Sequence, residues 1–326
     1  MSRPRIPIIV WHSVERETIN QGFLEGATNP SVSLFREQIG FLVDNYTPIS
    51  IHEFLELMSG RARTVYKRPP VLLTFDDGFK NVIDQALPVL QQFAAPAVFF
   101  VIAEAVRNQQ FIPWYVERTH LLRRTQKKVI KYCNRLFDLR FTNERKDLVR
   151  TFGLLFRSSS SDDHRAKLLT QLADALGVHR PARHELDDDL SFVSVSDLAM
   201  LQSSSLLTVA SHTLTHPFLD ALSYEEQYKE LNESHLFLSR ISAAYFPAVA
   251  YPGGAFDASA VSIAGKIYKC AFALQSGASF ANSYAFPRIS VGPDTIRHLA
   301  YAISPLRMRY FIPLKRFLSA GIQGWR

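Results

Sequence analysis

Val71-Leu72-Leu73-Thr74-Phe75-Asp76-Asp77-Gly78 is the stretch on which the fold turns. An apolar run ends on two adjacent carboxylates and a glycine, as when a buried strand delivers charge to the mouth of a fold. Adjacent carboxylates repel, so both stay ionised only where a cation or strong hydrogen-bond donors stabilise them. Taken alone, the tripeptide also fits an ordinary Asp-Asp-Gly turn after a strand. A second segment weighs against that reading. Ser211-His212-Thr213-Leu214-Thr215-His216-Pro217 also follows an apolar run, at 206–210. Histidines four apart face the same way on a helical turn, so both imidazoles can reach one ion. One carboxylate and two imidazoles with open positions suit zinc or a similar divalent ion in a hydrolytic role.

Outward from these segments, short apolar runs alternate with helical patterns, which predicts βα units and a parallel sheet. Strands are expected at 8–11, 71–75, 97–102, 206–211, 248–251, 270–274 and 289–291. Helices are expected at 34–45, 81–93 and 224–240, the last opening on a capping box of Ser223 and Glu226. Every candidate chemical group follows a strand: His12, Asp76 with Asp77, His212, and Tyr251-Pro252. In a parallel barrel those positions gather at the C-terminal face, where active sites form. Residues 112–190 interrupt the rhythm. Val129, Ile130, Cys133, Leu136 and Phe137 form one helical stripe, and Leu168, Leu169, Leu172 and Leu176 another, closed by Gly177. The region is expected to be a helical insertion, with Asp187-Asp188-Asp189 an exposed acidic turn rather than a metal cluster.

A chain of 326 residues with 47% hydrophobic content can bury one large core. The length prior suggests about two domains, but α/β barrels often reach this size as one. The expected organisation is a single domain over 1–326, with the insertion at 112–190 and a basic C-terminal segment at 297–326. The net charge of +7 is uneven: 117–150 carries 11 Lys/Arg against 4 Asp/Glu, and 297–326 carries 6 Lys/Arg and no acid. No nucleic-acid-binding module is recognisable, so that partner is not expected. The cations of 306–318 are interleaved with Phe311, Ile312, Leu314, Phe317 and Leu318, which suits either a docked helix or contact with an anionic membrane. Two cysteines, Cys133 and Cys270, give no disulfide framework. With no apolar signal core after Met1 and no run of about 20 apolar residues, the expected location is cytoplasmic, or the inner face of the membrane.

Thr74-Phe-Asp-Asp-Gly followed by Ser211-His-Thr-Leu-Thr-His resembles the first two motifs of the polysaccharide deacetylase (NodB-homology) family, of carbohydrate esterase type. The likeness extends to Pro7–Val14, to Phe35-Arg-Glu-Gln-Ile-Gly-Phe-Leu with Tyr46-Thr-Pro-Ile-Ser, and to Ala86-Leu-Pro-Val-Leu with Pro96-Ala-Val-Phe-Phe-Val. Tyr251-Pro-Gly-Gly resembles the third motif, and Phe286-Pro-Arg-Ile-Ser-Val the end of the catalytic domain. The resemblance implies a distorted (β/α) barrel, usually of seven strands. It also implies that Asp77, His212 and His216 bind one divalent metal, Zn2+ by preference, with Asp76 as general base. Many relatives take their general acid from a late Leu-x-His motif that is absent here. His12, after the first strand, matches the arrangement in which Tyr-His supplies it, and His298 is a second candidate.

Three departures stand out. The family's Arg two residues before the third-motif Pro is Ala250 here, the aromatic after that Pro is Gly253, and the fourth-motif carboxylate has no match near Gln275-Ser276-Gly277. Arg288 is the candidate replacement cation. Tyr251, Gly253 and Arg288 are grouped as candidate oxyanion or substrate residues, though Pro252-Gly253 also fits a simple turn. The expected function is metal-dependent removal of N-acetyl, or O-acetyl, groups from an acetylated saccharide or lipid-linked glycan in envelope or exopolysaccharide synthesis. The alternatives are a non-catalytic glycan-binding protein with a degenerate site, and an amidohydrolase acting on a small non-sugar C–N bond.

Overall fold

The computed structural model describes residues 4–16, 29–61, 66–159, 161–201, 206–274, 279–291 and 296–304. The strands are β1 (Ile8–Trp11), β2 (Thr47–Pro48), β3 (Pro70–Phe75), β4 (Ala97–Val101), β5 (Val129–Tyr132), β6 (Arg135–Asp138), β7 (Leu207–Ser211), β8 (Tyr245–Ala250), β9 (Cys270–Leu274) and β10 (Phe286–Ser290). Seven of them close a parallel ring in the order β1-β10-β9-β8-β7-β4-β3, sealed by pairing of β1 with β3, where Trp11 stands opposite Phe75. The short β2 pairs with β3 outside that ring. This is the expected seven-stranded (β/α) barrel.

Alternation along the strands sorts side chains into two layers. Ile8, Leu72, Val98, Phe100, Ala210, Ala248, Ala250, Phe272 and Phe286 share the barrel interior with Ile51, Phe54 and Met58 of helix Ile51–Met58. Their neighbours Ile9, Leu73, Phe75, Phe99, Val101 and Val209 face outward under helices such as Val32–Asn45. Val249, Tyr251, Ala271 and Ala273 likewise face outward, under helix Ala258–Ile267. The inward parity of β1, β3, β7 and β10 is therefore the parity of His12, Asp76, His212 and Arg288.

Several expectations change in detail. The expected helix at 81–93 opens with a π-helical turn, Val82–Ala86, before the α-helical Leu87–Gln92. Pro88 has no N–H to donate four residues back, which loosens the ladder at that point. The last strand begins at Phe286 rather than 289, and this brings Arg288 into the sheet. The capping box of Ser223 and Glu226 forms as expected on helix Tyr224–Ile241.

By internal contacts the chain divides into two compact units, the barrel unit and a second one that includes Asn108–Ser191. In the second unit, helices Trp114–Arg124, Thr142–Arg157 and Asp162–Leu176 surround a core containing Leu121, Phe137, Phe152 and Leu172. Gly177 ends the third helix with φ 66°, as its position predicts. The stripe read as helical at 129–137 is instead an antiparallel hairpin of β5 and β6. Cys133 and Asn134, at φ 48° and 62°, form its two-residue turn, and Asn adopts that region readily. Ile130, Tyr132 and Phe137 point into the core, while Leu136 is 66% exposed. The acidic run is not a fully exposed turn: Arg123 pairs with Asp187 and Asp189, and Asp189 is buried. Residues 305–326, which carry most of the basic C-terminal segment, lie outside the described residues.

Candidate metal centre

The first carboxylate pair sits where β3 ends. The Asp76 N–H donates to Trp11 O at 3.0 Å, which fixes the strand end against β1. The chain then turns through Asp77 and Gly78 at φ 76° and 85°. A Cβ on Gly78 would lie 3.0 Å from Val101 Cγ1, so both backbone angle and space call for glycine there.

The histidines follow β7, though not on a helical turn as expected. Thr213 and His216 both have left-handed backbones, φ 64° and 65°, and they fold the loop back on itself. His216 N–H donates to Thr213 Oγ1 at 3.2 Å. His212 Nδ1 donates to the carbonyl of Ala250 at 2.8 Å. A carbonyl only accepts, so Nδ1 carries the proton and the Nε2 lone pair is left facing the carboxylates.

His212 Nε2 and His216 Nε2 each lie 3.4 Å from Asp77 Oδ1. That oxygen is buried without a hydrogen-bond partner. Bonds of about 2.1 Å in a tetrahedral zinc site space the ligand atoms roughly 3.4 Å apart. The three ligand atoms lie within 4.8 Å of one another, the one such group among the described residues. The donor set, its spacing and the orphaned oxygen all fit a divalent ion.

Asp76 is held differently. Arg288 Nη1 donates to Asp76 Oδ1 at 2.6 Å and Nη2 to Oδ2 at 2.7 Å, a bidentate pair between fully buried side chains. The guanidinium also lies 5.4 Å from the Phe100 ring centroid. Burial pushes the Asp76 carboxyl up, but Arg288, His212 and His12 outweigh it and hold it below the usual carboxylate range. Asp77 lies well below that range: burial again opposes, and the close imidazoles of His212 and His216 prevail. His212 is raised, since Asp76 and Asp77 overcome its burial, whereas burial keeps His216 lowered.

Of the other candidates, His12 directly follows Trp11, whose carbonyl holds the Asp76 N–H, so it stands beside Asp76 at the β1–β3 seam. His298 is exposed on helix Ile296–Ile303, whose Leu299 and Ile303 pack into the outer layer. Tyr251 is not a substrate residue. Its outward parity buries the ring against Phe256, and its hydroxyl donates to Tyr284 O at 2.9 Å. Gly253, at φ 59°, lies beneath the Phe218 ring: a Cβ there would be 2.9 Å from Phe218 Cε1. Arg288 belongs with Asp76 rather than with an oxyanion. The residue that sequence reasoning missed is Ala250, whose main-chain carbonyl orients His212, a role no side chain announces.

Residues 64–138 and 191–268 match the sequence model of the polysaccharide deacetylase family. Over 92 residues the chain is 39% identical to the poly-beta-1,6-N-acetyl-D-glucosamine N-deacetylase of Escherichia coli K12, a match covering 28% of this chain and 13% of that protein. Its fold resembles the Streptococcus pyogenes deacetylase PplD (TM-score 0.60, 19% identity, 92% of this chain and 98% of that one). It also resembles a de-N-acetylase of Aggregatibacter actinomycetemcomitans (TM-score 0.57, 16% identity, 89% and 96%). The motifs, the seven-stranded ring and the matched residues, just under half of the chain, together make it similar to the polysaccharide deacetylase family.

Proposed function

We propose that the chain is a metal-dependent N-deacetylase of a polymeric N-acetylated amino sugar. The observation that carries this reading is the division of labour between neighbouring carboxylates: Asp77 faces two imidazoles and Asp76 faces a guanidinium. Asp77, His212 and His216 would hold the ion, zinc by the preference of such mixed sets, and it would supply Lewis-acid polarisation of the amide carbonyl. Asp76, kept ionised and fixed by Arg288, takes the proton of the attacking water. His12 hands a proton to the departing nitrogen as the C–N bond breaks, leaving acetate and a free amine. Tyr251 and Gly254 N–H groups are used within the fold, so Gly253 N–H is the loop's candidate oxyanion donor.

The match to the poly-beta-1,6-N-acetyl-D-glucosamine enzyme supports a β-linked glucosamine polymer as substrate. Because the match spans 13% of that protein, the substrate is part of the proposal. So are a lipid-linked form of the glycan and a cytoplasmic site of action. Among the described residues no helix is long and apolar enough to cross a membrane. The alternative of a degenerate binding site rests on Ala250 and Gly253, and Arg288 supplies the cation lacking at the first of these.

The test is acetate release from N-acetylated β-1,6-glucosamine oligomers. Wild type should release acetate, and Asp76→Asn should lose about 10²–10⁴ in rate while keeping its metal. A metal-loaded wild type that releases nothing from N- or O-acetylated saccharides would refute the reading.

A further inference from the structure

The loop bearing the two histidines holds two left-handed residues, and one of them, Thr213, is β-branched. Such backbones persist only where surrounding contacts over-determine them. The sequence motif offers one such contact, from His216 N–H to Thr213 Oγ1. The rest comes from outside the motif, from helix Tyr224–Ile241.

Glu230, on that helix, is 9% exposed and reaches up to the loop. Its Oε2 accepts the N–H groups of Leu214 at 2.9 Å and Thr215 at 2.8 Å. Its Oε1 accepts the Thr215 hydroxyl at 2.6 Å. Three bonds thus converge from one side chain on the two residues midway between the ligating histidines. Beneath it, Ser211 is tied to the same helix through its hydroxyl contact with Ser234 at 2.7 Å. The Tyr268 hydroxyl donates to Leu231 O. A buried carboxylate with no cation among its hydrogen-bond partners in the described residues is costly for a fold to keep, and mere packing would be served better by an apolar residue.

We propose that Glu230 is a positioning residue of the metal centre: it clamps the Thr213–His216 loop so that both Nε2 atoms stay aimed at Asp77. The inference rests on the metal-site reading above. The clamp works through reach and not through charge. A glutamine has the same length, its Oε1 can accept both amides, and its amide N–H can donate to Thr215 Oγ1. An aspartate keeps the charge, but its carboxylate retracts by one methylene and cannot reach both backbone groups.

The test measures zinc affinity by chelator competition and the visible spectrum of the cobalt(II) form, alongside thermal melting. It compares wild type with Glu230→Gln, Glu230→Asp and Glu230→Ala. Glu226→Gln, which weakens the capping box of the same helix, serves as the control for helix stability alone. Glu230→Gln should stay within about threefold of wild type. Glu230→Asp and Glu230→Ala should bind zinc about 10–100-fold more weakly and alter the cobalt spectrum, the scale typical of outer-shell losses. Glu226→Gln should melt lower with unchanged affinity. If Glu230→Ala does not fold, the ranking of Gln above Asp still decides. Wild-type affinity in Glu230→Asp, or Gln as weak as Asp, would overturn the clamp. A wild type that binds no divalent metal would overturn the metal-site reading instead.

Discussion

Replacing Arg288 by alanine removes both hydrogen bonds to Asp76 and leaves a carboxylate only 1% exposed, next to Asp77 and without its guanidinium. Breaking a buried pair from one side typically costs about 3–5 kcal/mol. At ~2–4 °C of melting temperature per kcal/mol for a unit of this size, the melt should drop by roughly 6–20 °C. The pH dependence should change sign. In the wild type Asp76 is lowered in the fold, so its contribution is present above the unfolded value of about 3.9 and is lost as pH falls through the folded value. Without Arg288, burial is the leading influence and raises the folded value. The variant should then lose stability as pH rises through the unfolded value, so its deficit should shrink on going from pH 7 towards pH 5. The acid limb of the rate profile should move to higher pH for the same reason. Arg288→Lys keeps the charge but not the fork, and should fall between the two. Denaturation at several pH values and acetate-release profiles are the assays. A stability deficit independent of pH, with an unmoved acid limb, would refute the reasoning.

His212→Ala should abolish stoichiometric metal in elemental analysis of purified protein, since its Nε2 faces Asp77 Oδ1; content equal to wild type would remove it from the ligand set. His12→Ala should keep fold and metal but lose most turnover and alter the high-pH limb of the profile, while near-normal activity on an unactivated amine leaving group would assign the acid elsewhere. Gly254→Ala should destabilise the barrel by about 1–3 kcal/mol, because its φ is 68° and a Cβ would sit 2.6 Å from Leu274 O. An unchanged denaturation midpoint would contradict the close approach.

Much of the centre was legible because its chemistry is carried by side chains at strand ends. Asp76, Asp77, His212 and His216 could be paired from spacing alone, and inward parity on β1 and β10 places His12 and Arg288 with them. The same parity rule, applied along 248–251, would have sent Tyr251 outward with Val249. Positions 129–137 misled because apolar residues there satisfy both a helical stripe and a twisted hairpin. The Cys133-Asn134 turn was the local signal that separates the two. The left-handed geometry of Thr213 and His216 was not readable, since it is imposed by tertiary contacts against their own preference.

The Asp76–Arg288 pair joins residues 212 apart in sequence, and it crosses β1, which lies between β3 and β10 in the ring. During synthesis both aspartates and both histidines exist long before Arg288 does. A chain that has laid down six strands of the ring has Asp77, His212 and His216 but no guanidinium for Asp76, and the gap where β10 will enter is still open along β1 and β9. Insertion of the final strand seals the cylinder and brings Arg288 to Asp76 in one event. Under the proposed roles, a half-made or end-clipped molecule would hold the ion before its base was fixed.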